Sequence, residues 1–161
     1  MKYYIGIDPG FDGGVTVMDD EFNIIKKDIA PTILGTKKKM YNVQGMVDLL
    51  LKYEPEMVVL EKVHAMPGQG STSMFRFGHG LGLWEGIINA LRYPYALVTP
   101  QQWMKTVLVG LPKGDKKQAA QLFCQRRWPE EDWRKNQRCR ILHSGLTDSA
   151  CMAYYAKTLT T

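Results

Sequence analysis

Apolar residues open the chain in a run, Tyr3-Tyr4-Ile5-Gly6-Ile7, that stops at Asp8 and gives way to Pro9-Gly10 and Asp12-Gly13-Gly14. The run reads as a β-strand and the cluster after it as a turn, because Gly, Pro and Asp accept the tight backbone geometry of a reversal. Val15 to Met18 and Phe22 to Ile29 are two further apolar runs, divided by Asp19-Asp20-Glu21, so three antiparallel strands are expected to open the fold. Gly35-Thr36-Lys37-Lys38-Lys39 reads as a loop. From Tyr41 to Tyr53 the apolar positions Met46, Leu49, Leu50 and Tyr53 recur every three to four residues, the spacing of an amphipathic helix. Met57-Val58-Val59-Leu60 is continuous and short enough to be a strand buried on both faces, with Glu61 at its end.

His64 to Ser73 is rich in Gly, Pro and Ser and reads as a loop. After it Met74, Phe77, Leu81, Trp84, Ile88 and Leu91 form a long helical stripe. On another side of that helix fall Gly78, Gly82 and Gly86. Each costs about 1 kcal/mol of helix propensity relative to Ala, so a close backbone contact is expected there. Tyr95 to Val98 reads as a fifth strand. Helices are predicted from Pro100 to about Val107, from Lys116 to Arg127 and from Leu146 to Lys157. This order predicts an α/β architecture, a mixed five-stranded sheet with helices on both faces, in one domain spanning 1–161.

Composition narrows the class. A chain of 161 residues buries roughly 70% of its extended surface, so no metal or disulfide staple is needed. Cys124, Cys139 and Cys151 are odd in number and lack C-x-x-C spacing, as expected of reduced cytosolic thiols. No run of about 18 apolar residues is present, and a soluble, cytoplasmic protein with no membrane partner is expected. The charge is uneven: residues 101–143 carry ten Lys/Arg against four acids, a net of +6, while the remainder sums to −1 of the total +5. Such a segment is a footprint for phosphate, above all nucleic acid, or else a solvated face.

Three acids stand where burial should exclude them: Asp8 ending the first strand, Glu61 ending the fourth, and Asp148 in the first turn of the last helix. Each has an ordinary reading: a turn former, a strand-end ion pair with a Lys, a first-turn helix carboxylate. If the three converge, a divalent cation would relieve their repulsion, and oxygen donors favour Mg²⁺, with Mn²⁺ a substitute. Two such ions about 4 Å apart would activate a water and stabilise the leaving oxygen of a phosphodiester. The helix dipole is expected to keep Asp148 ionised.

Four segments in order resemble the RuvC-type Holliday-junction resolvases, and within them the branch found in bacteriophages. They are Ile5-Gly6-Ile7-Asp8-Pro9-Gly10; Val58-Val59-Leu60-Glu61-Lys62-Val63 with Phe77-Gly78-His79-Gly80-Leu81-Gly82; Val98-Thr99-Pro100-Gln101-Gln102-Trp103-Met104-Lys105; and Thr147-Asp148-Ser149-Ala150. The first segment alone also resembles the phosphate loop of actin-like ATPases and sugar kinases. Those need two such domains and about twice this length. The resemblance implies an RNase H-like fold, a homodimer, and metal-dependent nicking of two opposed strands of a four-way DNA junction. It places Asp8, Glu61 and Asp148 as metal ligands, Lys62 and His64 beside the junction point, and Lys116-Lys117 in a basic DNA-binding segment.

The resemblance also implies a fourth metal-site group, commonly an acid, a few residues before Asp148. The stretch here is His143-Ser144-Gly145-Leu146-Thr147, with no acid. Either His143 serves there, as ligand or by orienting the attacking water, or an acid is lost at Ser144 or Gly145 and the protein binds junctions while cutting poorly. Ser144 also reads as a helix cap. Phe75 and His64 are positioned to stack on unpaired bases, with a core role for Phe75 as the alternative, and Arg76 and Lys105 are expected to reach phosphate. Trp128 and Trp133 sit among basic residues as on nucleic-acid surfaces, Trp103 reads as core, and His79 as packing or interface. The 74–91 helix, through Leu81 or Trp84, is the expected dimer contact.

Overall fold

A computed structural model of the chain describes residues 1–62, 64, 67–112 and 114–161; Val63, Ala65 and Met66 of the expected loop and Lys113 of the basic segment lie outside the described residues. Strands β1 (Tyr3–Ile7), β2 (Gly14–Asp19) and β3 (Ile24–Ile29) form an antiparallel meander. Two parallel neighbours, β6 (Met57–Glu61) and β7 (Tyr95–Val98), complete a sheet of order β3-β2-β1-β6-β7. The mixed five-stranded sheet is therefore as the hydrophobic pattern predicts. The stretch from Gly35 to Lys39 differs, because it is the turn and the start of the return strand of a small hairpin, β4 (Thr32–Leu34) with β5 (Lys39–Tyr41).

Helices cover both faces, and the strand alternation shows how. Ile5, Ile7, Val15, Val17, Val58 and Leu60 point to one side, packed with Met46 and Leu50 of α1 (Val43–Tyr53) and Trp84 and Ile88 of α2 (Ser71–Ala90). Tyr4, Met18 and Val59 point to the other, where α3 (Pro100–Val107), α4 (Lys116–Arg127) and α5 (Ser144–Thr158) supply Trp103, Cys124, Ala150 and Met152. Period two carries this alternation past each strand end, so Asp8 follows Tyr4 and Gly6 onto the α5 side and Glu61 follows Val59 onto the same side.

Helix α5 lies on β1 and β2 at backbone distance. A Cβ on Gly6 would stand 2.0 Å from the Ser149 carbonyl oxygen and 2.3 Å from the Ala153 nitrogen, and one on Gly14 would stand 2.0 Å from the Gly145 carbonyl oxygen. A buried hydrogen bond of 2.8 Å between the hydroxyls of Thr16 and Ser149 fixes the register. The helix begins at Ser144 with His143 at the cap position, earlier than Leu146. Ser144 is thus not the cap, and Asp148 is the fifth helical residue rather than a first-turn one.

Several side chains lie elsewhere than the sequence predicts. The glycine stripe of α2 packs on nothing among the described residues: Gly78, Gly82 and Gly86 are exposed, and a Cβ on any of them meets open space there. Trp84 is fully buried inside this chain and so is not free for an interface. Trp128 and Trp133 are core residues too, not surface aromatics; their cations, Arg127 and Lys27, approach from the rim. Trp103 is core, as expected.

These distances predict opposite effects of one methyl group. Gly6→Ala should destabilise the fold by more than about 3 kcal/mol, because backbone must move. Gly78→Ala should stabilise it by up to about 1 kcal/mol. Urea unfolding of the two variants checks both signs.

Candidate active site

The parallel pairing of β1 with β6 sets Ile7 opposite Leu60. The next residues, Asp8 and Glu61, therefore come side by side at the carboxyl ends of neighbouring strands, which run roughly 4.8 Å apart. The Asp8 N–H donates to the Gly14 carbonyl at 2.9 Å, which extends the ladder and holds this residue against the turn. Asp148 arrives from α5, one residue before the Ser149 that is locked to Thr16.

All three carboxyls hold protons more tightly than usual. Burial raises the pKa of Asp8 well above 3.8, and the charges of Glu61 and Asp148 raise it further. Burial likewise raises Glu61, opposed by the indole N–H of Trp103, which otherwise has no hydrogen-bond partner of good geometry. Asp148 is pushed up to about 7 by burial and by Glu61, with the Lys117 ammonium acting against them. The expectation that the helix dipole keeps Asp148 ionised is thus corrected: the residue sits past the first turn, where the dipole fades, and desolvation wins.

The sequence-predicted residues divide around this centre. Lys117 is brought to Asp148. Lys105 and Lys116 line one groove between α3 and α4. Lys62 and His64 are exposed just past Glu61, and Phe75 and Arg76 are exposed on the first turns of α2. At His143 burial lowers the pKa, followed by the charge of Lys135, while Asp12 opposes them. Its Nδ1 is buried without a partner. Residues the sequence did not flag include Asp12, which bridges Lys135 at 2.8 Å and Lys39 at 3.8 Å, and Tyr41, whose phenol is raised by burial, lowered by Arg76 and raised by Asp8.

No protein-family model matches the chain, and no curated protein matches it in sequence. Solved structures do. RuvC of T. thermophilus in complex with Holliday junction substrate is 15% identical over 98% of this chain and 96% of that one, with a TM-score of 0.59. Thermus thermophilus RuvC gives 19% identity, coverage of 97% and 96%, and a TM-score of 0.60. The yeast mitochondrial Holliday junction resolvase Ydc2 gives 16% identity, coverage of 95% and 76%, and a TM-score of 0.60. The fold is that of RuvC. It covers nearly the whole chain, and on this RuvC-like frame the three acids occupy strand ends and the facing helix.

Among the described residues no three His, Cys, Asp or Glu side chains form a ready-made metal cage. The donor set nevertheless fits a hard divalent cation: three carboxyls repel one another, and Asp148 Oδ1 is buried with no hydrogen-bond partner.

The raised pKa values fix the sign of a pH effect. Between 3.8 and about 7 the folded protein keeps a proton on Asp148 that the unfolded chain has released. Stability therefore falls as pH rises through that window and levels off above it. In EDTA the melting temperature should be lower near pH ~8 than near pH ~5.5, Asp148→Asn should flatten the difference, and Mg²⁺ should raise it most at the higher pH. A metal-free melting temperature that climbs across the same interval would show that the carboxyls do not act together.

Proposed function

We propose that this chain is a crossover junction endodeoxyribonuclease, a homodimer of one-domain subunits that uses divalent metal to cut two opposed strands of a four-way DNA junction. The observation that carries the reading is the gathering of Asp8, Glu61 and Asp148, with Lys117 beside them, on a RuvC fold. Lys62, His64, Phe75, Arg76, Lys105, Lys116 and Lys117 are the proposed DNA contacts, all of them exposed. The proposed setting is the cytoplasm of a bacterium or of a phage-infected host. None of the described helices is long and apolar enough to cross a membrane.

In this mechanism Asp8, Glu61 and Asp148 would hold Mg²⁺ or Mn²⁺, two ions per site. When bound, the metal supplies an activated water and charge stabilisation at the leaving 3′ oxygen. The chain's own part is to fix the three carboxyls on a rigid sheet and helix, to give up their protons as the site fills, and to hold the scissile phosphate near Lys117. His143, whose pKa burial and Lys135 lower and whose buried Nδ1 has no hydrogen-bond partner among the described residues, is the residue proposed to orient the attacking water. Lys135 and Asp12 are the charges that act on it. The lack of an acid in the stretch His143-Ser144-Gly145-Leu146-Thr147 before Asp148 favours a second reading, a branched-DNA-binding protein with weak or lost catalysis; a broader branched or flap nuclease is the variant of the first.

A synthetic four-way junction, a flap and a linear duplex at about 100 mM salt, each with Mg²⁺, Mn²⁺ or EDTA, separate these readings. Paired metal-dependent nicks near the branch point are expected for the junction, with Asp8→Asn abolishing cutting and leaving binding intact. Tight junction binding with no nicks under either metal would select the binding reading. Normal cutting by Asp8→Asn would remove the proposed site.

The proposed subunit contact is the open C-terminal glycine face of α2. Gly82→Glu improves helix propensity, so loss of association cannot be put down to unfolding. The variant should sediment as a monomer and make single rather than paired nicks. A dimer that still cuts in pairs would place the contact elsewhere.

A further inference from the structure

The segment between α4 and α5 contains an exposed loop whose tip the mechanism does not use. An antiparallel bridge between Arg134 and Leu142 closes its base around residues 135–141. The base is anchored: Trp133 lies in the core, its carbonyl accepts the His143 N–H at 2.8 Å, and the Lys135 ammonium reaches Asp12 at 2.8 Å. Within the loop the Asn136 carbonyl accepts the Cys139 N–H at 3.1 Å, and the Asn136 side-chain oxygen accepts the Arg138 N–H at 3.0 Å. These bonds give the tip a set shape. Arg134 is held by Asp132 through two bonds of 2.9 and 2.8 Å. The cations left over are Arg138 and Arg140, both exposed and neither in an ion pair among the described residues. No Asp or Glu occurs from 133 to 147. Next to Arg140 stands Ile141, 80% exposed, an apolar side chain left in water.

We infer that this loop is a finger for the minor groove of a duplex DNA arm, with Arg138 and Arg140 in the groove and Ile141 against the base pairs. The minor groove is roughly 6 Å wide against roughly 12 Å for the major one, so it admits the side chains of a loop where the major groove takes a helix or a ribbon. Its floor carries acceptors at every base pair, and a G·C pair adds the guanine N2 amine, which stands in the way of a donor. A guanidinium has donors alone, and the loop holds no carboxylate to oppose them. An apolar side chain beside arginines is the further mark of minor-groove binders, which press it between base steps. The location suits the partner. The finger leads directly into His143 and α5, which carries Asp148, and Lys135 pins its base to Asp12, four residues after Asp8. A duplex arm that delivers a phosphodiester to the carboxyls would thus come alongside it. The inference rests on the nuclease reading for the place of the arm, not for the chemistry of the loop.

The test uses the full chain in EDTA, so that cutting is silent, and a four-way junction at salt from about 50 to about 200 mM. A matching junction carries inosine for guanine in its arms, which removes the N2 amine from the minor-groove floor and leaves the major-groove edge unchanged. Wild type should bind the inosine junction about tenfold more tightly. Replacing guanine by 7-deazaguanine, which lacks only the major-groove N7, should change nothing. Arg138→Ala combined with Arg140→Ala should lose the inosine preference and lower the salt slope of binding by about two, while Arg138→Lys with Arg140→Lys keeps the slope. Ile141→Ala should keep the slope and weaken binding to both junctions. All three side chains are exposed, so the variants should melt with the wild type. Equal binding of the two junctions by wild type, or an inosine preference that survives in the double alanine variant, would overturn the inference. Parallel reactions with Mg²⁺ keep the two claims apart: paired nicks with no inosine preference remove the finger and leave the nuclease, and an arginine-dependent inosine preference without nicks does the reverse.

Discussion

The backbone contact between α5 and the β1–β2 ladder is the constraint on which the rest of the molecule depends. Only glycine at positions 6 and 14 lets the helix come so close, and the Thr16–Ser149 hydrogen bond then leaves one rotation and one register for it. Asp148 precedes Ser149, so its carboxyl is delivered to the edge of the sheet where β1 and β6 end. A helix lifted by one methyl layer would carry Asp148 away from Asp8 and Glu61. It would also open the core formed by Ala150, Met152 and Ala153, all fully buried. Stability and site geometry therefore have a common origin, and changes at this contact affect both together.

The same rigidity keeps three like-charged groups together. Isolated buried carboxylates are costly, and mutual repulsion adds to that cost. The chain holds them by packing, because the nearby opposing groups are few: the Lys117 ammonium toward Asp148 and the Trp103 indole toward Glu61. Several other cations are engaged elsewhere, Lys135 with Asp12, Arg134 with Asp132 and Lys27 with Glu131. The centre is thus deficient in positive charge while its surroundings are rich in it. This distribution suits a site completed by metal and approached by a polyanion.

Much of this was legible in the sequence because strands buried on one or both faces leave strong patterns. Asp8 and Glu61 each follow a strand with a clear apolar run, and parallel pairing with period two brings them together without any knowledge of side-chain positions. The start of α5 was less legible. Ser144 and Gly145 are weak helix formers, and their helical state is set by tertiary contact, Gly145 fitting against Gly14 and the Asp12 carbonyl. The β4–β5 hairpin leaves little pattern because Ile33, Leu34 and Met40 are exposed among lysines. Trp128 and Trp133 were read as surface residues from their basic neighbours in sequence, but they lie against Phe22, Tyr154 and one another. Local charge says little about a ring whose contacts are over a hundred residues away, as the 2.8 Å bond from the Trp128 indole to the Phe22 carbonyl shows.

Helix α2 shows why a hydrophobic stripe and a glycine stripe carry different information. The later part of its apolar stripe is accounted for within the chain: Trp84 and Ile88 close the core against β1 and β6, while Gly80 admits the Tyr41 hydroxyl, which donates to the Arg76 carbonyl at 3.1 Å. Gly80 is needed there, since a Cβ would stand 2.3 Å from that hydroxyl oxygen. Gly78, Gly82 and Gly86 lower helix propensity, and a Cβ on any of them would meet no atom of the described residues within 4 Å. The described part of the fold does not require small residues on that face. The helix thus divides along its circumference: one side closes the core, and its outer side is left smooth.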